Sequence, residues 1–379
     1  MKSRICDMLG IEFPLLAFSH CRDVVVAVSK AGGMGVFGAV RYTPEQLEEE
    51  LSWIDDQLDG KPYGVDLIVP SKAEGRDAGV TPEMVLGMLP DAHKSFSDDL
   101  LKKFGMTDAD LEDYRRATLL TTENLRNAEA TDMLDVAFAH PIRLIANALG
   151  VPPRAMLDYG KAHGVPVAAL VGAKEHALAQ VSAGVDILVA AGGEAGGHCG
   201  EISTMVLIPE VCEAIKPVRD VPVLAAGGIV TGRQMAAAMA MGADGAWCGS
   251  VWLTTPEAEP TPVVKQKLLA ATSRDTVRSR CRTGKPSRQL RSPFTDAWEA
   301  EGAPEALPMP LQSLIAEPTM AHVDKLAQSG HPGAEDLSTY WVGQGVGLMN
   351  REMSAGAVVQ EFKEDFVRAY ERLTDLIGD

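Results

Sequence analysis

The sequence predicts a (β/α)8 TIM barrel with an insertion after the third strand and a helical C-terminal tail. Short runs rich in Val, Ile, Leu and Ala recur between residues 13 and 250, without the polar alternation of half-exposed strands. Segments with helical periodicity separate these runs, and several end in glycine just before the next run. Eight βα units can close into a barrel, and the count of eight favours this fold over the alternative, a doubly wound open sheet.

The predicted elements alternate along the chain, as a parallel sheet requires. The eight predicted strands are Phe13–Phe18, Gly35–Val40, Tyr63–Val69, Ile142–Ala148, Pro166–Val171, Asp186–Ala191, Pro222–Ala226 and Gly245–Ser250. The predicted helices are Asp23–Lys30, Pro44–Asp56, Arg154–His163, Lys174–Ala183, Pro209–Ile215 and Gly232–Met241.

Two segments fall outside this repeat. Residues 72–133 are polar and charged, and they extend the loop after the third strand, on the face where barrel enzymes place their sites. This insertion is either a lid over the substrate or a solvated helical segment with no role in the site. Residues 253–379 contain helical segments broken by prolines. We therefore expect residues 1–252 to form the barrel, including the insertion, and residues 253–379 to pack on it as a helical extension.

Composition excludes several classes of partner. The net charge is −17 and no stripe of Lys and Arg stands out, so we expect neither nucleic acid nor an anionic membrane as a partner. No apolar run approaches the roughly 18 residues of a spanning helix, and the N-terminus lacks the apolar core of a secretion signal. The six cysteines form no CxxC pair, which is typical of free thiols in a reducing cytoplasm. We therefore expect a cytoplasmic protein without a metal site, while a homo-oligomer remains open.

The predicted ends of the last two barrel strands carry a signature of phosphate binding. Gly227-Gly228 follows the seventh predicted strand, and Gly249-Ser250 ends the eighth. Backbone N–H groups at this place in a barrel, together with a helix N-terminus, offer fixed positive ends to an anion. The Ser250 hydroxyl can add a donor. The alternative is tight strand-to-helix packing by small residues, but the pairing of both loops favours a phosphate site.

The sixth predicted strand ends in the glycine-rich loop 192–200, which contains His198. Glycine allows the backbone to approach a ligand closely, so this loop suits a pocket better than a simple surface turn. An imidazole has an unperturbed pKa of about 6.5, which suits proton transfer near neutral pH. We therefore predict that His198 takes part in chemistry or in substrate binding. The neighbouring Cys199 is interpreted as a small side chain in a tight loop, and His20 as a second histidine that could line the pocket.

These motifs together resemble the nitronate monooxygenase family, formerly called 2-nitropropane dioxygenases. The resemblance rests on Gly193-Glu194-Ala195-Gly196-Gly197-His198-x-Gly200, on Ala225-Ala226-Gly227-Gly228-Ile229, and on Gly242-Ala243-Asp244-Gly245 with Gly249 soon after. Two later motifs are also similar: Thr283-Gly284-Lys285-Pro286-Ser287-Arg288 and Gly343-Gln344-Gly345-Val346-Gly347. The resemblance extends to flavin-dependent enoyl-ACP reductases with the same barrel, and it covers nearly the whole chain outside the insertion.

The resemblance implies a non-covalent FMN and a role for each matching residue. The FMN phosphate would lie against backbone around Gly227-Gly228 and Gly249-Ser250, and His198 would be the catalytic base or a substrate-orienting group. Further expected flavin contacts come from the first and third strands and the sixth loop: Ala17, Phe18, Ser19, Asp66, Gly193, Gly196 and Gly197.

The chain departs from the family pattern at three places. The first strand ends in Leu16-Ala17-Phe18-Ser19-His20 where the family usually has a Met-rich, Gly-containing turn. Asp66 stands where an Asn is usual, and Ala191 where Gln or Glu is frequent. An aspartate there could accept a hydrogen bond from the flavin N3–H, but as an anion it would repel a reduced, anionic flavin.

Four functions remain open from the sequence. The first is oxidation of alkyl nitronates with O2 by an FMN enzyme. The second is an ene-type oxidoreductase that uses NAD(P)H and acts on an enone or an acyl-CoA, over which the insertion could close. The third is a flavin-free barrel that binds a sugar phosphate, and the fourth is a flavoprotein without turnover. The visible spectrum of the purified protein separates the third from the others.

Overall fold

Eight parallel strands form a closed barrel in the computed structural model, which describes residues 1–40, 42–67, 87–111 and 130–377. Hydrogen bonds join the strands in the order β1-β2-β3-β4-β5-β6-β8-β9, and β9 pairs with β1. The barrel strands are β1 Leu15–Ser19, β2 Met34–Gly38, β3 Tyr63–Leu67, β4 Leu144–Asn147, β5 Val167–Val171, β6 Ile187–Ala191, β8 Val223–Ala226 and β9 Gly245–Cys248. Three short strands form a separate sheet: β7 Gly197–His198, β10 Thr276–Ser279 and β11 Ser287–Leu290.

Helices surround the barrel and build most of the C-terminal extension. The α-helices are α1 Arg4–Leu9, α2 Arg22–Lys30, α3 Pro44–Leu58, α4 Asp91–Lys103, α5 Ala130–Ala139, α6 Arg154–His163, α7 Lys174–Ala183, α8 Thr204–Ile215, α9 Gly232–Ala240, α10 Pro262–Ala270, α11 Pro293–Glu299, α12 Leu311–Gln328, α13 Pro332–Leu337 and α14 Ala355–Ile377. Short 3-10 turns cover Ser250–Trp252, Ser273–Asp275 and Gln344–Leu348. No helix in the described ranges is long and apolar enough to cross a membrane.

The predicted barrel is confirmed, and the strand boundaries differ by one or two residues where both ends are described. One correction concerns α8: the helix begins at Thr204, five residues before the predicted start at Pro209. A proline is tolerated in the first turn of a helix, so the sequence suggested a start there, but Pro209 lies inside this helix. A second correction concerns the eighth strand, which ends at Cys248 and leaves Gly249 and Ser250 in the turn that follows.

The barrel has an apolar interior that is separate from the layer between strands and helices. Leu16, Met34, Leu144 and Trp247 belong to the interior cluster. Side chains alternate along each strand, so the residues between them face the outer helices. Helix α1, which the sequence did not predict, adds buried side chains to the interior cluster.

The C-terminal extension contacts the barrel through α14, which packs on α9. A Cβ atom at Gly232 would lie 2.0 Å from the carbonyl oxygen of Phe362, so only glycine allows this close approach. The Asp365 carboxylate accepts hydrogen bonds from the backbone N–H of Arg233 at 2.8 Å and from its guanidinium at 2.7 Å. Helix α14 is thereby fixed to the N-terminus of a barrel helix, and these bonds hold the pKa of Asp365 below its usual range.

The insertion packs on the extension where the structure describes it. Within residues 87–111, the buried side chains of Leu100 and Leu101 share one cluster with Phe294, Leu314 and Val323 of the extension. The remainder of the predicted insertion, apart from the first residues of α5, lies outside the described residues. The division at residue 252 therefore stays a prediction.

Candidate active site

The carboxyl ends of the barrel strands bring most of the predicted site residues to one face. The loop after β6 begins there and is fixed to the next loop by Glu194. The Glu194 carboxylate accepts hydrogen bonds from the backbone N–H of Thr204 at 2.8 Å and from its hydroxyl at 2.9 Å. The Thr204 hydroxyl also lies 2.9 Å from the carbonyl oxygen of Gly227. Glu194 thus lies at the N-terminus of α8, where a negative charge is stabilised, and links the two loops.

Glycine is required at particular places in this loop because other backbone approaches it. A Cβ atom at Gly192 would lie 2.2 Å from the Thr204 hydroxyl, and one at Gly196 would lie 2.8 Å from the backbone nitrogen of Gly343. Gly197 has φ of +72°, yet a Cβ there would meet nothing within 4 Å. The first two positions serve packing, whereas Gly197 provides the left-handed backbone conformation that turns the chain into β7.

His198 is held by the C-terminal extension. Strand β7 pairs antiparallel with β11, so that His198 lies opposite Ser287 and Gly197 opposite Arg288. The Nε2 atom of His198 lies 2.8 Å from the Thr283 hydroxyl oxygen, and the Arg288 guanidinium donates to the Gly193 carbonyl at 2.8 Å. The loop that carries His198 is therefore clamped on two sides by the segment from Thr283 to Arg288.

The environment of His198 favours its neutral form. Burial lowers the pKa of the imidazole, and the nearby Lys285 cation lowers it further, while the Glu317 carboxylate raises it. The Thr283 hydroxyl lies 3.3 Å from the carbonyl oxygen of Lys285 and can donate to it. When the hydroxyl donates to this carbonyl, its oxygen accepts from the Nε2–H of His198 and Nδ1 carries the basic lone pair. When it donates to Nε2 instead, Nδ1 carries the proton.

A buried ion pair lies next to this histidine. Arg282 is 4% exposed and donates from Nε and Nη2 to the two oxygens of Glu317, at 2.8 and 2.9 Å. The guanidinium carbon also lies 4.6 Å from the centre of the Trp341 ring, which in turn is 6.4 Å from the His198 ring. Sequence reasoning missed Arg282, Glu317 and Trp341, because they are far from His198 along the chain.

The two predicted phosphate loops present free backbone donors. Within the described residues, the N–H groups of Gly228, Gly249 and Ser250 donate to no protein acceptor. Gly228 has φ of +72°, whereas Gly249 has an ordinary φ of −111°. The Ser250 hydroxyl oxygen accepts from the backbone N–H of Gly343 at 2.9 Å, so its own hydrogen remains available to a ligand.

The first strand contributes one side chain to this face. Phe18 belongs to the interior group, and a Cβ atom at Gly249 would lie 3.8 Å from its ring. Ala17 instead packs among the residues outside the barrel, and Ser19 accepts a hydrogen bond from the backbone of Cys21 at 3.1 Å. A role of Ala17 and Ser19 in binding a cofactor would therefore use their backbone.

Cys199 and His20, the two other residues singled out from the sequence, each have defined contacts or burial in the structure. Burial raises the pKa of the Cys199 thiol, which keeps it in the unreactive thiol form. The His20 Nδ1 atom lies 2.7 Å from the carbonyl oxygen of Gly38, at the rim of the barrel. In the described part of the chain, no three side chains of the metal-ligating types come together.

The residues at this face fit a flavin phosphate and ring. The unshared amides of the two loops suit a phosphate, and four of the inward positions near the strand ends are small: Gly38, Ala146, Ala191 and Ala226. Asp66 lies in the same layer and is buried, and neither of its carboxylate oxygens has a hydrogen-bond partner among the described residues. An unpartnered buried carboxyl beside small residues is consistent with a polar ligand above them.

Comparisons with known proteins agree with this geometry. A profile of the nitronate monooxygenase family matches residues 2–365. A protein of Mycobacterium tuberculosis strain H37Rv, provisionally named a monooxygenase, is 50% identical over the whole of both chains. A provisionally named nitronate monooxygenase of Staphylococcus saprophyticus is 28% identical over 95% of this chain and 96% of its own.

Solved structures show the same fold. A nitroalkane oxidase from Streptomyces ansochromogenes superposes with a TM-score of 0.76 over 98% of this chain and 99% of its own, at 24% identity. FabK from Thermotoga maritima superposes with a TM-score of 0.72 over 98% of both chains, at 26% identity. The chain therefore belongs to the nitronate monooxygenase family and is a flavin-dependent oxidoreductase that acts on a small molecule.

Proposed function

We propose that this protein uses FMN to oxidise alkyl nitronates, and their parent nitroalkanes, with O2. The observation that carries the proposal is the state of His198. Thr283 holds the Nε2 atom of its ring, and burial and Lys285 lower its pKa. A neutral, oriented imidazole at the mouth of a flavin barrel is suited to removing an α-proton from a neutral nitroalkane.

Different residues around the barrel mouth would bind the phosphate and the ring of the cofactor. The unshared amides of Gly228, Gly249 and Ser250 would hold the phosphate, and Phe18 and Asp66 would lie against the ring. The backbone of Gly193, Gly196 and Gly197 would pass close to the flavin. FMN suits this site better than a dinucleotide because it has a single phosphate. The GxGxxG match of the chain, Gly33 to Gly38, runs along strand β2 and not through a turn between a strand and a helix, where a dinucleotide fingerprint lies.

When bound, FMN supplies the capacity to accept two electrons from the substrate and to pass them to O2. The protein's own contribution is to place the substrate and to move one proton. The imidazole of His198 takes the α-proton of a neutral nitroalkane, and Glu317 partly offsets the burial and the Lys285 charge that disfavour the resulting imidazolium. A substrate that arrives as a nitronate has already lost this proton, so His198 then only orients it.

The test begins with the purified protein. We expect it to be yellow and to release FMN, not FAD, on denaturation. Anaerobic rapid mixing with ethylnitronate, nitroethane, NADH and NADPH, in separate experiments, then shows which compound reduces the flavin. Reduction by ethylnitronate supports the proposal. Reduction by NADPH alone would instead indicate the ene-type oxidoreductase, and protein that stays colourless after incubation with FMN would refute both.

A further inference from the structure

Asp66 has an unusual position among the residues of the barrel strands. Three residues in the eight strands are ionisable, namely Tyr63, Asp66 and Cys248. Tyr63 and Cys248 pack among the residues outside the barrel. Asp66 alternates with Val65 and Leu67, which also pack outside, so its side chain faces the barrel interior. It is the one ionisable side chain that these eight strands, all of which are described, direct inward.

The carboxyl group of Asp66 has no hydrogen-bond partner among the described residues. The residue is 1% exposed, and both oxygens lack a hydrogen bond within the described residues. Its neighbours in the sheet are Gly38 on β2 and Ala146 on β4, which bring no charge to it. Burying an isolated carboxylate costs so much free energy that such a group takes up a proton instead. Burial accordingly raises the pKa of Asp66 well above its usual value.

Among the described residues, the barrel interior around Asp66 contains no cation that would reverse this preference. Two large inward side chains elsewhere in the barrel, Phe18 on β1 and Trp247 on β9, are also uncharged. Helix α2, which packs against β3, carries Arg22, Asp23 and Lys30 on the outside of the barrel, whereas Asp66 faces inward. His20, which follows β1, lies with its Nδ1 atom 2.7 Å from the carbonyl oxygen of Gly38. Among the described residues, no charged group contributes to the pKa of Asp66.

We propose that Asp66 is a protonated positioning residue for the flavin, and that its ionisation weakens flavin binding at high pH. This inference rests on the proposed function, because it needs FMN at the barrel mouth. As a neutral acid, Asp66 offers the ring both a donor and an acceptor. On ionisation it releases its proton to solvent, loses the donor and places a negative charge beside the ring. The negative charge disfavours the reduced, anionic cofactor most strongly.

Asp66→Asn is the matched variant, because an amide has the shape of the neutral acid and cannot ionise. FMN titrations of the apoprotein, followed by flavin fluorescence between pH 5 and 10, give the dissociation constant of each protein. If the ionised form does not bind, we expect the wild-type dissociation constant to rise by up to about tenfold per pH unit above the pKa of Asp66. The Asp66→Asn profile should lack this rise. His20→Gln should keep the wild-type profile, which excludes the neighbouring histidine as the titrating group.

Unfolding of the apoprotein tests the protonation without any flavin. A carboxyl whose folded pKa is raised binds more protons folded than unfolded, so its contribution to stability falls as pH rises from the unfolded pKa, about 3.9, to the folded one. The denaturation midpoint of Asp66→Asn, relative to that of the wild type, should therefore increase as the pH rises. Equal pH profiles of the two proteins in unfolding, or in FMN binding, would overturn the inference. Failure of every variant to bind FMN would instead refute the proposed cofactor.

Discussion

Gly249→Asp provides the sharpest test of the phosphate site. A side chain at this position causes no backbone strain, because φ is −111°, and a Cβ atom would make only an ordinary contact of 3.8 Å with Phe18. Gly228→Asp is less informative. Gly228 has φ of +72°, and a Cβ atom there would lie 3.2 Å from the Cβ of Glu194, so any side chain would also strain the loop.

The expected magnitude follows from Coulomb's law. A carboxylate on residue 249 would lie roughly 5 Å from a phosphate held by the amides of residues 249 and 250, and at an effective dielectric constant of about 20 two unit charges then repel by about 3 kcal/mol. This energy corresponds to a more than 100-fold loss of affinity, since each 1.4 kcal/mol is a factor of ten. Gly249→Asn has nearly the same shape without the charge, and we expect it to lose less than about tenfold.

The assay is titration of the apoprotein with FMN, and with riboflavin as a ligand that lacks the phosphate. Gly249→Asp should bind FMN far more weakly than Gly249→Asn does, whereas the two variants should bind riboflavin with equal affinity. Circular dichroism and the denaturation midpoint establish that both variants fold. If Gly249→Asp binds FMN as tightly as Gly249→Asn does, the phosphate lies elsewhere and the assignment of both loops is wrong.

Three further predictions concern His198 and its supports. His198→Ala should keep its FMN but lose roughly 10²–10⁴-fold in the rate of flavin reduction by nitroethane, with a smaller loss for ethylnitronate; equal rates in rapid mixing would make the histidine structural. Because the neutral imidazole is the active form, kcat/KM for nitroethane should decrease when the pH is lowered past the pKa of His198, which Lys285 holds down. Lys285→Met should shift this decrease to higher pH, and 0.5 M salt should have the same effect on the wild type because it screens the Lys285 charge. Arg282→Met should cost about 3 kcal/mol in the free energy of unfolding, the lower end for breaking a buried pair, because Glu317 is 28% exposed; a loss below about 1 kcal/mol in urea denaturation would contradict this.

The barrel could be predicted from the sequence because each strand has a recognisable local pattern. Fully apolar runs separated by glycine-terminated helices identify βα units one at a time, and closure follows from their number. The glycines of the sixth loop and of the two predicted phosphate loops were equally visible, since a glycine cluster after an apolar strand is a local pattern. The structure places these loops together, as barrel topology requires.

What the sequence could not show depends on contacts between distant residues. Strand β7 has two residues, too few for any periodic pattern, and it exists because β11 pairs with it. Thr283 is 85 positions from His198, and nothing local marks it as a partner of the histidine. Glu194 belongs to the glycine-rich motif, but its bond to Thr204 depends on a helix start that the sequence does not indicate, because Pro209 is the residue that resembles a first helical position.

The pairing of β7 with β11 has a consequence for how the protein matures. All eight barrel strands are synthesised by residue 248, yet the segment that orders the His198 loop has not then been made. A nascent chain stalled near residue 250 therefore contains every barrel strand but none of the partners in the extension that hold the His198 loop. Those partners are synthesised with residues 276–290, and Gly343, which contacts Gly196 and Ser250, is synthesised later still. A chimera that replaces the extension must accordingly retain at least this hairpin and the segment around Gly343.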